Sequence, residues 1–210
     1  EINDSDAEAI QSAARALQQG AIVGLKGLGG YQLLVDATSE AAVQMLREKK
    51  QRQGKPLAVM VTDLTAALKL AVMNDAEAET LASPAAPIVL LQARENSPIA
   101  GNVNPGLNTV GVMLPTTPLH WLLLEQCDFP LVVTSANREG EPLFYQDRSH
   151  SAGWSMIVRS NAPSMTVSFA GWQDDLSRFD WHGGWLRCLW IWNILSLPLR
   201  WGDIRKLLSL

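Results

Sequence analysis

Apolar positions recur along the first two-thirds of the chain in two spacings, and the changes between them predict its elements. Ala9, Ile10, Ala13, Ala14 and Leu17 follow a helical period behind Ser5-Asp6-Ala7-Glu8. That tetrad reads as a capping box, and Gly20 is placed to close the helix. Ala21 to Leu25 is an apolar run of strand length that enters the glycine-rich loop Lys26-Gly27-Leu28-Gly29-Gly30. Leu33 to Val35 predicts a second strand, and Asp36 to Thr38 leads into a helix with Ala42, Met45 and Leu46 on its apolar face and Arg47-Glu48-Lys49-Lys50 at its end. Further strands are expected over Leu57 to Val61, Pro87 to Leu91, Val110 to Leu114 and Leu131 to Val133. Helices are expected from Asp63 to Leu70, from Ala76 to Leu81 and from Pro118 to Glu125. Strands alternating with helices predict an α/β sheet covered on both faces. The connection Gln92 to Asn108 is long and rich in Asn, Pro and Gly, which suits a loop over a site better than a linker.

Composition narrows the partners. With 210 residues, 47% of them hydrophobic, the chain can bury one sizeable core. Residues 1–146 carry ten Lys and Arg against sixteen Asp and Glu, a charge of −6, and residues 147–210 carry +2. A net acidic domain offers phosphate backbones and membrane surfaces no general attraction, so an anion site must be local. Cys127 and Cys188 have neither CxxC spacing nor a nearby His, which argues against zinc or a disulfide framework and fits a reducing cytosol. The chain starts at Glu1 without a signal-like segment, and we expect an excised or incomplete N-terminus. Trp185 to Trp201 is interrupted by Arg187, Asn193, Pro198 and Arg200, so no membrane span is expected.

Two segments are candidates for chemistry. Lys49, Lys50, Arg52 and Lys55 crowd seven positions before a buried strand. They read either as a solvated helix end that complements the helix dipole or as an anion grip. In the second reading Arg52 makes a two-pronged contact with phosphate or carboxylate, and Gly54 with Pro56 pins Lys55 at the mouth of a strand. Thr134-Ser135-Ala136-Asn137 follows an apolar strand, at the carboxyl end where open α/β sheets bind ligands, although a plain Asx or Ser turn has the same composition. The glycine loop is neither GxGxxG nor a Walker loop. Gln32, His120 and Cys127 read as ordinary structural residues, and there is no Ser-His-Asp arrangement, carboxylate pair or metal-ligand cluster.

Taken in order, several segments resemble one family. They are Lys26-Gly27-Leu28-Gly29-Gly30-Tyr31, Asp36-Ala37-Thr38, Lys50-Gln51-Arg52 with Lys55-Pro56-Leu57-Ala58-Val59-Met60, and Ser83-Pro84 with Pro87-Ile88-Val89-Leu90. Pro105-Gly106-Leu107-Asn108, Gly111-Val112-Met113-Leu114-Pro115, Thr117-Pro118-Leu119-His120, and Thr134-Ser135-Ala136-Asn137 with Gly140-Glu141-Pro142-Leu143 continue the match. Over about residues 8–146 the chain resembles the YrdC-like domain of HypF-type hydrogenase maturation carbamoyltransferases.

The resemblance implies a YrdC-like α/β fold, with a twisted, mixed or mostly parallel sheet, helices on both faces and a concave positive site. It also implies ATP as a substrate, with Mg2+ accompanying it, and carbamoyl phosphate or carbamate as the source of a carbamoyl adenylate. By motif, Lys50 and Arg52 become the catalytic Lys-x-Arg pair, and Ser135 and Asn137 the Ser-x-Asn pair. Lys26, Lys55 and Thr134 join Ser135 and Asn137 as nucleotide- or substrate-binding candidates. The family partner is a hydrogenase maturation protein that accepts carbamoyl on a cysteine, and the compartment is the cytoplasm. Alternatives in the wider family are threonylcarbamoyl-adenylate synthesis for transfer-RNA modification and double-stranded RNA binding. The motif departs from the family at Gln32, where His is usual, and at Glu139, where a small hydroxyl residue is usual.

Seven of the eight tryptophans fall after residue 147, where the resemblance stops. Back-translated codons of Gly153 to Ser160 and Ser164 to Ala170, read two nucleotides later, permit family-like sequence. Residues 147–210 are therefore expected to be a Trp-rich, out-of-frame tail rather than a native domain, and the chain a truncated member of the family; the rival reading is a genuine Trp-rich partner-binding or membrane-surface module.

Overall fold

The computed structural model describes residues 6–27, 30–137 and 164–167, the last as backbone only. Ser5 of the expected capping box, Glu139 and, apart from residues 164–167, the whole tail with its seven tryptophans lie outside the described residues. Helix α1 (Asp6–Gln18) ends where Gly20 turns into the left-handed region at φ 79°, a conformation that costs glycine little. Strands β1 (Ile22–Lys26) and β2 (Tyr31–Asp36) form an antiparallel pair across the glycine loop. Ser39 caps α2 (Glu40–Lys50) by accepting from the amide of Ala42, and Gln51 closes it in the left-handed conformation. Then come β3 (Ala58–Met60), α3 (Leu64–Leu70) capped by Asp63, and the short β4 (Ala71–Val72). Helix α4 (Asp75–Leu81) starts with a capping box of Asn74 and Glu77. Strand β5 (Val89–Ala93), a 3-10 turn (Gly101–Val103), β6 (Thr109–Met113), α5 (Pro118–Glu125), β7 (Leu131–Ser135) and β8 (Ser164–Val167) complete the order.

The strands form one sheet in the order β4-β5-β6-β3-β7-β2-β1-β8. The α/β class and the mixed sheet stand, but the expected weighting toward parallel pairs is corrected. Among the described residues only β3 with β6 and β1 with β8 run parallel, and the other five pairings are antiparallel. The cause is topological. The loop between β1 and β2 is too short for a parallel crossover, and β7 inserts antiparallel between β2 and β3.

Cross-strand partners share a face, so the register sorts the core. Leu33, Val35, Val59, Val112 and Val132 point to one face and pack with Ala42, Val43 and Leu46 of α2. Gln32, Leu34, Ala58, Gly111, Val133 and Ser135 point to the other. On that second face α1 and α5 cover the β1–β2 half, burying Leu17, Leu34, Leu123 and Leu124. The half formed by β3, β5 and β6 leaves Ile88 and Leu90 56% and 69% exposed.

Candidate functional site

A cavity of about 430 Å³ opens over this less covered half. Its floor is apolar, made by Ala58, Gly111, Met113 and Val133 with Ile88 and Leu90 beside them. Gly111 keeps the floor low, since a Cβ there would stand 3.0 Å from Cγ2 of Ile88. The rim is polar, with Gln32, Arg52, Thr134 and Ser135. Thus the carboxyl end of β7 and the basic turn after α2, separated by about eighty residues in sequence, meet at one opening.

The cations of that turn divide into two kinds. Arg47 and Lys50 are buried. Arg47 donates from Nε to the carbonyl of Asn102 at 2.7 Å, from Nη1 to those of Arg52 and Lys55 at 3.2 and 2.9 Å, and from Nη2 to Val103 at 3.2 Å. Burial, with the neighbouring Arg52 charge second, holds its pKa below the usual value. Lys50, 2% exposed, donates from Nζ to the carbonyls of Ser135 and of Asn137, the latter at 2.7 Å. This pins the end of α2 to the loop after β7. Ser135 donates from Oγ to Oδ1 of Asn137 at 2.5 Å, which folds the loop on itself.

Arg52 is different. Its Nη2 donates to the carbonyl of Pro56 at 2.9 Å and its Nη1 makes a long 3.4 Å contact with Oγ1 of Thr134, while Nε has no acceptor among the described residues. A guanidinium has five N–H donors, and with Nε buried, one hydrogen on each of Nη1 and Nη2 is left to meet a ligand at the rim. Lys55 is exposed and contributes its carbonyl to Arg47, and its side chain is not part of the cavity wall. Lys26 pairs in register with Tyr31, on the face opposite Gln32, and its Nζ lies 5.7 Å from the Tyr31 ring centroid. Of the residues singled out in the sequence, Arg52, Thr134 and Ser135 line the cavity. Lys50 and Asn137 brace it from behind, and Lys26 and Lys55 stand away from it.

Three contributors escape a sequence reading. Arg47 looks like one more helix-end cation, and only its distance in sequence from Asn102 reveals a clamp. Gln32 and His120 look like scattered polar residues, yet His120 Nε2 lies 2.8 Å from Oε1 of Gln32. His120 is 1% exposed, and burial pushes its imidazole down to about 4. Cys127 is buried, and desolvation, aided by Asp36 and Asp128, pushes its thiol up to about 12, which leaves it protonated and unreactive at neutral pH. Among the described residues no group of three or more His, Cys, Asp or Glu could hold a metal ion, and no helix is long and apolar enough to cross a membrane.

This arrangement has relatives. The chain is 48% identical over 141 residues to the carbamoyltransferase HypF of Rhizobium leguminosarum bv. viciae, a match that spans 64% of this chain and 18% of that protein. The threonylcarbamoyl-AMP synthase of Bacillus subtilis is 28% identical over 146 residues, spanning 68% of this chain and 42% of the relative. Among solved structures, full-length HypF in its phosphate- and nucleotide-bound form superimposes with a TM-score of 0.72 at 36% identity, covering 77% of this chain and 25% of that one. The chain thus spans about a fifth of the length of the HypF proteins it matches. The model of the Sua5/YciO/YrdC family, described as telomere recombination, matches residues 15–160, well over half of the sequence, and the chain belongs to that family.

Proposed function

We propose that this domain binds ATP and forms or holds carbamoyl adenylate, as one part of a hydrogenase maturation carbamoyltransferase. The observation that carries the reading is Arg52 at the rim of an apolar cavity, with one hydrogen on each terminal nitrogen still to be used, beside the hydroxyls of Thr134 and Ser135. In the step envisaged, a carbamate oxygen attacks the α-phosphorus of ATP, and the bond to pyrophosphate breaks with its electron pair leaving on the pyrophosphate. Arg52 would neutralise charge building on the phosphoryl oxygens, and the Ser135 loop would fix the acyl end. That is catalysis by positioning and electrostatics, without a covalent enzyme intermediate. Lys50 acts from behind, by holding the loop that carries Ser135 and Asn137 against α2.

Mg2+ would travel with the phosphates of ATP. Among the described residues the cavity wall contains no carboxylate, the ligand type such an ion takes from protein, and no step is assigned to it. Passage of the carbamoyl group to a cysteine of a maturation protein would require parts of the longer relatives beyond the matched segment. The HypF branch is preferred to threonylcarbamoyl-adenylate synthesis because identity is 48% to the one relative and 28% to the other. Calorimetric titration decides. Heat of binding with ATP plus carbamoyl phosphate, and little with ATP plus threonine and bicarbonate, is expected. The reverse preference would assign the domain to the transfer-RNA branch, and silence with both would remove the adenylate reading.

A further inference from the structure

Gln32 stands where the covered and open halves of the sheet face meet. It lines the cavity from β2, opposite Ser135 in register, while its side chain reaches His120 on the covering helix α5. Thr117 caps α5 by accepting the His120 amide hydrogen at 3.2 Å, so its hydroxyl hydrogen is directed elsewhere, and Nδ1 of His120 lies 2.9 Å away. The Thr116 hydroxyl flanks the same nitrogen at 3.2 Å. With Nδ1 accepting, the neutral ring carries its hydrogen on Nε2, and Nε2 donates to Oε1 of Gln32. The orientation of the Gln32 amide follows: its oxygen is used, and its NH2 group has no recorded acceptor among the described residues. Gly27 packs against the same amide, since a Cβ there would lie 3.1 Å from Oε1 and 3.2 Å from Cδ.

We propose that Gln32 donates from its side-chain NH2 to the carbonyl oxygen of the acyl group in the bound adenylate, and that His120 is the positioning residue that fixes this donor. The inference rests on the adenylate reading given above and assigns the acyl end of that ligand. The division of charge on the rim supports it. A phosphate is drawn to the guanidinium of Arg52, whereas an uncharged amide suits an uncharged oxygen, and a buried neutral imidazole holds that amide at any ordinary pH. Fixing a donor in advance removes the cost of ordering it when the ligand arrives.

The test compares two probes by calorimetry on the full chain: AMP, which lacks the acyl group, and a carbamoylsulfamoyl adenosine, a non-transferable stand-in for carbamoyl adenylate. Gln32→Ala and His120→Leu should each weaken binding of the acyl analogue about tenfold more than binding of AMP, the worth of one hydrogen bond. The double variant should be no worse than Gln32→Ala alone, because His120 acts through Gln32. His120→Gln, which keeps a donor near the position of Nε2, should recover most of the loss. Gly27→Ala, which displaces the amide without touching His120, provides the same readout should His120→Leu fail to fold. Equal weakening of both probes, or additive losses in the double variant, would overturn the proposal and leave the nucleotide site standing. Failure of the unmodified chain to bind either probe would instead remove the adenylate reading and this inference with it.

Discussion

The two halves of one sheet face share the same apolar alternation and meet opposite fates. Under α1 and α5, Leu34 and its neighbours are fully buried. Over β3, β5 and β6 no helix follows among the described residues, and Ile88 and Leu90 remain in the open beside a glycine that deepens the hollow. Leaving such side chains in water forgoes roughly 25 cal/mol for each Å² not buried, a loss a domain tolerates where a ligand supplies the missing cover. The rim follows the same division. Arg47 and Lys50 are spent on carbonyls inside the fold, and Arg52 faces the opening.

Arg47→Leu tests the inner side of this contrast most severely. It leaves the carbonyls of Asn102, Arg52 and Lys55 without their donor, takes one of two from Val103, and should remove about 4 kcal/mol of stability, read by urea denaturation. A loss under about 1 kcal/mol would mean that the guanidinium is not a clamp. Next, Leu34→Ala should cost about 3 kcal/mol, whereas Leu90→Ala should stay within about 0.5 kcal/mol and weaken nucleotide binding instead. Equal costs would erase the distinction between the halves. The pH dependence of stability addresses their boundary. His120 titrates near 6.5 when unfolded and near 4 when folded, so its contribution is complete above about 6.5 and is lost as pH falls toward 4. The loss should approach about 3 kcal/mol, and His120→Gln should abolish that part of the profile. Finally, Gly111→Ala, whose added methyl meets Ile88, should lower nucleotide affinity about tenfold while costing about 1 kcal/mol or less of stability. Undiminished affinity would place the ligand elsewhere.

Much of this was legible in the residues themselves. The periods of α1, α2 and α5, the turn at Gly20 and the pairing of the basic turn with Thr134 and Ser135 all follow from local chemistry or from the family resemblance. The strand directions did not, because alternating strands and helices suggest crossovers, and nothing local tells β7 to insert between β2 and β3. Strand β4, two residues long, is held by pairing with β5 rather than by any pattern of its own. Arg47 and Lys50 look alike in a run of cations, and only partners far along the chain distinguish clamp from tether. Gln32 is marked in the sequence only as a departure from the family's His, and its role is hidden for the same reason, since its partner lies 88 residues away.

The span between Lys50 and its acceptors also affects how the protein is made. Lys50 precedes Ser135 by 85 residues, and β3, which adjoins β6 and β7, precedes both of its neighbours. During synthesis, therefore, the ammonium and the middle strand both emerge long before anything can shelter them. Closing contacts over such distances is slow, and an unpaired apolar strand in the waiting chain invites association with others. The nascent protein thus has an obligatory interval of vulnerability that ends only when the Ser135 loop leaves the ribosome, and ribosome-bound chains halted before residue 131 should be the forms that holding chaperones retain.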